Sequence, residues 1–278
     1  MKKFLFMAAI AACMGFMTSC SQEDDIPASS TGIQNVIVFS TNSNVGITRS
    51  GQTTNWLNKF TVSAVNADNT AHFSSVEFNY DSMDGAFKSS TPYYWLVGSS
   101  LSFYAISNPG SVSLDANSVP KYAYTNWGGE TDLVAATVLA GNKQVPYPLA
   151  FQHVLSQIVV SADAADKTEN LTYKLIDVEM TAPCDGTYSF ADATGGSGSW
   201  EIVNSATKAY SYASAFPKSF EQDGSATSGK VYWNILPVKS GTISFKVAYQ
   251  VFQNGKIIAD YTGSKAKTCE LVNPNLNS

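Results

Sequence analysis

From Gly241 to Phe252 the chain alternates residue by residue. Ile243, Phe245, Val247, Tyr249 and Val251 fall on one side, and Thr242, Ser244, Lys246, Ala248 and Gln250 on the other. A period of two belongs to a strand with one buried and one wet face, and a helix would scatter these residues around its axis. Asn254-Gly255 follows, a dipeptide suited to a two-residue hairpin loop, and then Lys256-Ile257-Ile258-Ala259. The same grammar runs through the chain. Phe60-Thr61-Val62-Ser63-Ala64-Val65 alternates cleanly, Phe73 to Tyr80 is a strand, and Asp84-Gly85 turns it toward Phe87. Tyr93 to Val97 and Leu101 to Ile106 flank Gly98-Ser99-Ser100, which predicts a second hairpin. Val36 to Phe39 is the first strand, and the polar stretch from Thr41 to Asn55 reads as an exposed loop. Leu171 to Thr181, Gly186 to Phe190, Trp200 to Val203 and Lys230 to Pro237 continue the pattern. No segment sustains a helical period and no internal repeat emerges, so the fold class is all-β, with short strands of sandwich type.

Length and composition agree with this. A chain of 278 residues accommodates one large domain or two of ordinary size. Its 44% hydrophobic content can fill a core, while only 14% is charged, the balance being the Ser, Thr, Asn, Gly and aromatic residues that twisted sheets use. The pivot is Pro148 to Ala162, an apolar run behind Pro146 that becomes a strand with Ile158, Val160 and Ala162 on one face. The boundary between two domains is expected there: 33–145 and 146–278.

The first residues read as an export signal. Lys2 and Lys3 precede an apolar run from Phe4 to Phe16 that is shorter than a bilayer span. Met17-Thr18-Ser19-Cys20 follows, with a small residue before the cysteine in the manner of a lipobox. The reading is therefore a lipoprotein signal peptide over 1–19, acylation (palmitate among the acyl chains) of Cys20, and a tether over 20–32 that opens with the acidic Glu23-Asp24-Asp25. Ordinary secretory cleavage with a free Cys20 is the alternative. The net charge of −5 becomes more negative once Lys2 and Lys3 leave, which argues against nucleic acid as a partner. Cys184 and Cys269 could pair in an exported protein or remain buried thiols.

Three stretches carry a family resemblance. Phe151-x-His153-x-Leu155-Ser156-x-Ile158 resembles the F-x-H-x-L-S-K-I segment that opens the second domain of fimbrillins, the surface pilus lipoproteins of Gram-negative anaerobes, with Gln157 in place of the lysine. Trp95-Leu96 through Leu101-Ser102-Phe103-Tyr104-Ala105 resembles their Trp strand followed by L-x-F-Y-A. Thr131 to Ala136 resembles their D-L-L-x-A strand. The resemblance covers roughly 33–262 in outline. It implies two β-sandwich (transthyretin-like) domains in tandem and a structural subunit of surface fimbriae, whether stalk, tip or accessory. It also implies assembly with other fimbrial subunits by donor-strand exchange, outer-membrane attachment through lipid on Cys20, and no cofactor. Ile47-Thr48-Arg49 before Ser50 resembles the family's maturation site, where an arginine-directed protease cuts; Arg49 is the only arginine in the chain. Fimbrillins close with a Trp-Pro-Gly and aromatic-rich strand pair, whereas this sequence ends Asn273-Pro274-Asn275-Leu276-Asn277-Ser278, so the final strands are expected to be short or absent.

Catalytic signatures are missing. Gly195-Gly196-Ser197-Gly198-Ser199 fails the nucleophile-elbow pattern at its last position, and the two histidines, His72 and His153, stand far apart in sequence. Asp81 with Asp84, and Asp163 with Asp166, lie in polar turns as solvated acids would. No enzyme activity, metal or cofactor is expected. A monomeric lipoprotein that binds glycan or a host ligand is the alternative function, with Tyr93, Tyr94, Trp95, Phe103 and Tyr104 as a stacking platform; core packing is the competing role for those rings. Asp81-Ser82-Met83 also resembles an acceptor for protein O-glycosylation.

Overall fold

The computed structural model describes residues 35–41, 57–129, 131–160, 171–211, 218–220, 231–272, 274 and 276. They are strands and turns, with no α-helix and one short 3-10 turn, Gly263–Lys265, among the described residues. The first half contains β1 (Phe39–Thr41), β2 (Lys59–Asn66), β3 (Ala71–Asp81), β4 (Ala86–Ser89), β5 (Leu101–Ile106), β6 (Ser111–Leu114), β7 (Pro120–Tyr124) and β8 (Val134–Gly141). The pivot supplies β9 (Tyr147–Leu149), β10 (Gln152–His153) and β11 (Ser156–Val160). The second half contains β12 (Leu171–Pro183), β13 (Gly186–Ser189), β14 (Ser199–Ile202), β15 (Thr207–Ser211), β16 (Lys218–Phe220), β17 (Val231–Ile235), β18 (Thr242–Gln253), β19 (Lys256–Tyr261) and β20 (Lys267–Val272).

An eight-stranded sheet runs in the order β10-β8-β5-β2-β3-β4-β1-β9. Its two outermost strands are separated in sequence by Ala150 and Phe151 alone, so the sheet curls until both edges meet one bend of the chain. The curl encloses the first core, in which Ile37, Phe39, Phe60, Val62, Phe78, Trp95, Leu101 and Phe103 are nearly or wholly without solvent exposure. The strands β2, β5 and β8 are buried on their other face too. There Val65, Tyr104, Ile106 and Ala135 meet Tyr122, Tyr124, Trp127, Tyr188 and Phe190 in a second core. Thr61, Ser63 and Thr137 are buried on this same second side, and the Ser63 hydroxyl accepts the Ser75 N–H at 2.9 Å beside the β2–β3 bulge. Burial on both faces explains why Leu101 to Ile106 reads as a nearly continuous apolar run rather than an alternating one.

The cover over that second face is a four-stranded sheet, β14-β13-β7-β6. It takes two strands from each side of the 145/146 position: Tyr122 pairs with Tyr188, and Ala123 with Thr187. Indole and main-chain bonds reinforce the crossing. The Trp127 indole donates to the Asn234 carbonyl at 2.8 Å, Trp127 N–H to Cys184 O at 2.9 Å, and Asn234 N–H to Gly129 O at 2.8 Å. Beyond it, β11 and β17 face a sheet built on β12 and β18, flanked by β15 and β16 on one side and β19 and β20 on the other. Leu175, Val178, Met180, Trp233, Ile235 and Ile243 fill this third core.

Most expected strands form. β18 buries Ile243 and Val251 and exposes Lys246, and Asn254 and Gly255 take the positive φ values, 49° and 74°, that a primed hairpin turn requires. Asp84-Gly85 joins β3 to β4 as expected, with Gly85 at φ 65°. The hairpin expected from Tyr93 to Ile106 does not form. Residues 93–95 instead run beside 35–37, with Ile37 N–H donating to Tyr93 O at 2.7 Å and Trp95 N–H to Asn35 O at 3.0 Å, while β5 pairs with β2 and β8. The competing partner is the N-terminal strand, which a local hairpin argument does not weigh. A terminal strand, β20, pairs Thr242–Val247 of β18 across Lys267–Val272, although the family comparison leads one to expect little ordered pairing there.

Trp95 is 1% exposed and packs edge-on against Phe103 at 5.4 Å, and its buried indole N–H has no hydrogen-bond partner. Truncation therefore removes packing alone. Trp95→Ala should cost about 3–5 kcal/mol of unfolding free energy in a denaturant titration; an unchanged midpoint would contradict this placement.

Buried phenols in the second and third cores also set an alkaline limit. Burial pushes the Tyr188 phenol up to about 12 and lifts Tyr124 and Tyr210 still further. These phenols stay protonated in the folded chain while the unfolded chain ionises near its ordinary value of about 10. Their contribution is complete below that value and is lost as pH rises through the folded value. Stability should thus fall from about pH 10 toward 12. Chemical denaturation across that range reads it, and a flat profile would refute it.

Candidate functional site

The candidate site is the slot that holds the strand β1 and the residues before it. β1 sits between β4 and β9, antiparallel to the first through Phe39↔Phe87 and parallel to the second through Phe39↔Tyr147, Ser40↔Pro148 and Thr41↔Leu149. The preceding residues extend the fit: Tyr147 N–H donates to Val38 O at 2.7 Å, and 35–37 bind 93–95 as described above. A β-branched and aromatic pair two residues apart, Ile37 and Phe39, points inward, and both are 0% exposed. The Phe39 ring meets Phe78 at 4.8 Å, Phe103 at 5.1 Å and Phe60 at 6.1 Å, mostly edge to face. Such geometry adds to the area buried. The strand therefore fills a slot: two main-chain edges flank it and an aromatic floor lies beneath it.

Cys20, Arg49 and Ser50 lie outside the described residues, as do Asp163 and Asp166. The aromatic platform is not assembled. Trp95, Phe103 and Tyr104 are buried, Tyr93 is half-buried and packs on Phe73 at 4.5 Å, and of the five Tyr94 alone is exposed, at 39%. Asp81 accepts Met83 N–H at 2.9 Å and pairs with Lys88 at 3.2 Å at the β3–β4 turn, and Lys88 also pairs with Asp84. These contacts hold the Asp81 carboxyl below its usual value, the Met83 amide bond being the largest cause. Cys184 is buried and Cys269 exposed on β20, and both are free thiols. Burial raises the Cys184 thiol above its ordinary value, which makes it a poor nucleophile.

His153 is packed and bonded, with a partner that the separate motifs do not suggest. Its Nδ1 lies 2.6 Å from Asp132 Oδ2, joining two of the stretches that carry the resemblance. The bond fastens β10 to the start of β8, where His153 pairs with Val134 and Val154 N–H donates to Leu133 O at 3.0 Å. His72 is elsewhere, its Nε2 2.9 Å from Tyr94 O. Among the described residues no three His, Cys, Asp or Glu side chains converge as metal ligands would. What the slot offers chemically is main-chain pairing and apolar pockets.

Phe39→Ala should destabilise the fold by about 3–5 kcal/mol, because the ring fills the slot's deepest position. Ser40→Ala, one residue on and only half-buried, should change stability by less than about 0.5 kcal/mol. Equal effects in thermal or urea unfolding would deny that the slot is an aromatic pocket.

No curated protein sequence matches this chain. Among solved structures it is similar to a candidate cell-adhesion protein from Bacteroides ovatus, at 12% identity and TM-score 0.49 over 88% of this chain and 87% of that one. It is similar to another from Bacteroides uniformis, at 13% identity and TM-score 0.48 over 87% and 98%. It is also similar to the fimbrial anchor protein Mfa2 from Porphyromonas gingivalis, at 14% identity and TM-score 0.35 over 81% and 80%. The fimbrillin-like family profile matches residues 48–262, which takes in every strand from β2 to β19, and the chain belongs to the fimbrillin-like family.

Proposed function

We propose that this protein is a structural subunit of cell-surface fimbriae, held to the outer membrane by lipid on Cys20 and assembled with other fimbrial subunits by donor-strand exchange. The observation that carries the reading is the position of the slot strand in the chain. Residues 35–41 hold two fully buried side chains, Ile37 and Phe39, yet they precede Arg49. A cut between Arg49 and Ser50 would leave them attached by non-covalent contacts alone. Their departure would unpair one edge of β4 and one of β9 and open the floor of Phe60, Phe78 and Phe103. A strand from a neighbouring subunit could supply the ladder bonds as they leave, with alternate side chains in the pockets of Ile37 and Phe39. Departure of the severed segment, which carries Cys20, would also release the subunit from its lipid. A role in adhesion follows from surface display of the polymer. The aromatic side chains offered for glycan capture are largely committed to the core, which leaves the monomeric binding reading with little surface to use.

Two measurements test this. Palmitate should label the wild-type chain and not Cys20→Ala; equal label in both would end the lipoprotein reading. N-terminal sequencing of assembled surface material should begin at Ser50, and Arg49→Ala should abolish both that terminus and the SDS-stable ladder. Polymers that retain residues 20–49 would overturn the maturation step.

A further inference from the structure

The edge strand β6 suggests a second contact that is independent of the slot. β6 is the outer strand of the four-stranded cover sheet, paired on one side with β7 through Ser111↔Ala123, Val112↔Tyr122, Ser113↔Lys121 and Leu114↔Pro120. All four of its residues are exposed, Val112 at 43% and Leu114 at 45%. Exposed edges are ordinarily guarded by charge. Other exposed edges obey this: β14 carries Glu201, β15 Lys208, β19 Lys256 and Asp260, and β20 Lys267 and Glu270, while the uncharged edges β9, β11 and β17 are mostly buried or half-buried. β6 carries none.

Its pattern is also self-complementary. Two identical strands that pair antiparallel about a two-fold axis must place residues of the same parity opposite each other, because those residues turn their main-chain groups the same way. The axis therefore falls on a residue. Centred on Ser113, it sets Val112 against Leu114 of the second copy on the core-facing side, and Ser113 against Ser113 on the other. Apolar meets apolar, hydroxyl meets hydroxyl, and no charge within the strand opposes another.

We propose that β6 pairs with β6 of a second copy of this chain in that register, merging two four-stranded sheets into one of eight. Four residues a side make a small contact, below the size of stable interfaces. A single pair is therefore weak, and side-by-side arrays of copies would strengthen it by avidity.

Sedimentation of the purified full chain tests this while the slot is filled by its own strand, so the outcome does not depend on donor-strand exchange. Concentrations up to about 1 mM, where weak association is measurable, should show a monomer–dimer equilibrium. Ser113→Lys and Ser113→Asp alone should each raise the dissociation constant about tenfold or more, since like charges then stand directly opposite. Mixing the two variants should restore association. Neither change should move the thermal midpoint, because Ser113 is exposed. In a background of Cys20→Ser and Cys269→Ser, Ser113→Cys should form a disulfide dimer under oxidised glutathione, and Val97→Cys, 81% exposed in a turn, should not. A chain that stays monomeric, or a dimer indifferent to the charges at 113, would overturn the proposal.

Discussion

Burial of β2, β5 and β8 on both faces is the constraint from which the rest of the architecture follows. A strand with two dry faces needs two covers. On one side the cover is the sheet itself, curled so that Phe39, Phe60, Phe78 and Phe103 meet in the first core. On the other it is the four-stranded sheet bearing Tyr122, Tyr124 and Tyr188. Neither cover is local in sequence. The curl closes only because the pivot returns β9 and β10 to opposite ends of the sheet, and the second cover requires β13, with β14 on its far side, to pair with β7. The two halves of the chain thereby share a sheet, and Trp127 spends its polar end on the Asn234 carbonyl across the junction.

Legibility in the sequence tracks this division. β18 could be read because one of its faces is wet, so its alternation survives. Asn254-Gly255 and Asp84-Gly85 could be read because a positive φ is a local demand on a residue type. Tyr93-Tyr94-Trp95 misled because three aromatics look like a strand wherever their partner is, and the partner lies nearly sixty residues earlier, at 35–37. β6 and β7 escaped notice for the opposite reason. Ser111-Val112-Ser113-Leu114 is too polar, and a strand opening at Pro120 runs against expectation, although an edge position and a first residue are where those features are tolerated.

The site was legible in part. Val36 to Phe39 reads as a strand from the letters alone, but all four residues are apolar, so which alternate pair faces inward has no local signal. That β4 and β9 flank it, one antiparallel and one parallel, is a property of the curled sheet and has no local signal. The joining of His153 to Asp132 is of the same kind: each lies in a recognisable stretch, and only the fold brings them to 2.6 Å.

The energetics of the slot constrain how exchange would proceed in the proposed assembly. Burying Ile37 and Phe39 is worth about 1.5–3 kcal/mol each. The main-chain bonds from Ile37 to Tyr93, Trp95 to Asn35 and Tyr147 to Val38 add about 0.5–1.5 kcal/mol apiece. Together these hold the strand by several kcal/mol, before the entropy gained when a severed segment leaves. A cut after Arg49 would not by itself empty the slot, because the severed strand keeps every one of those contacts. Severing instead removes the tether that makes rebinding intramolecular, so a released strand no longer returns at the high effective concentration of a linked segment. An incoming strand then competes on its own contacts rather than against the covalent link. Proteolysis would thus permit the exchange and the donor strand would drive it, pairing progressively with β4 and β9 as the resident strand peels away. An aromatic floor left open to water between the two events is avoided throughout, which is the condition a secreted subunit must meet if it is to polymerise rather than aggregate.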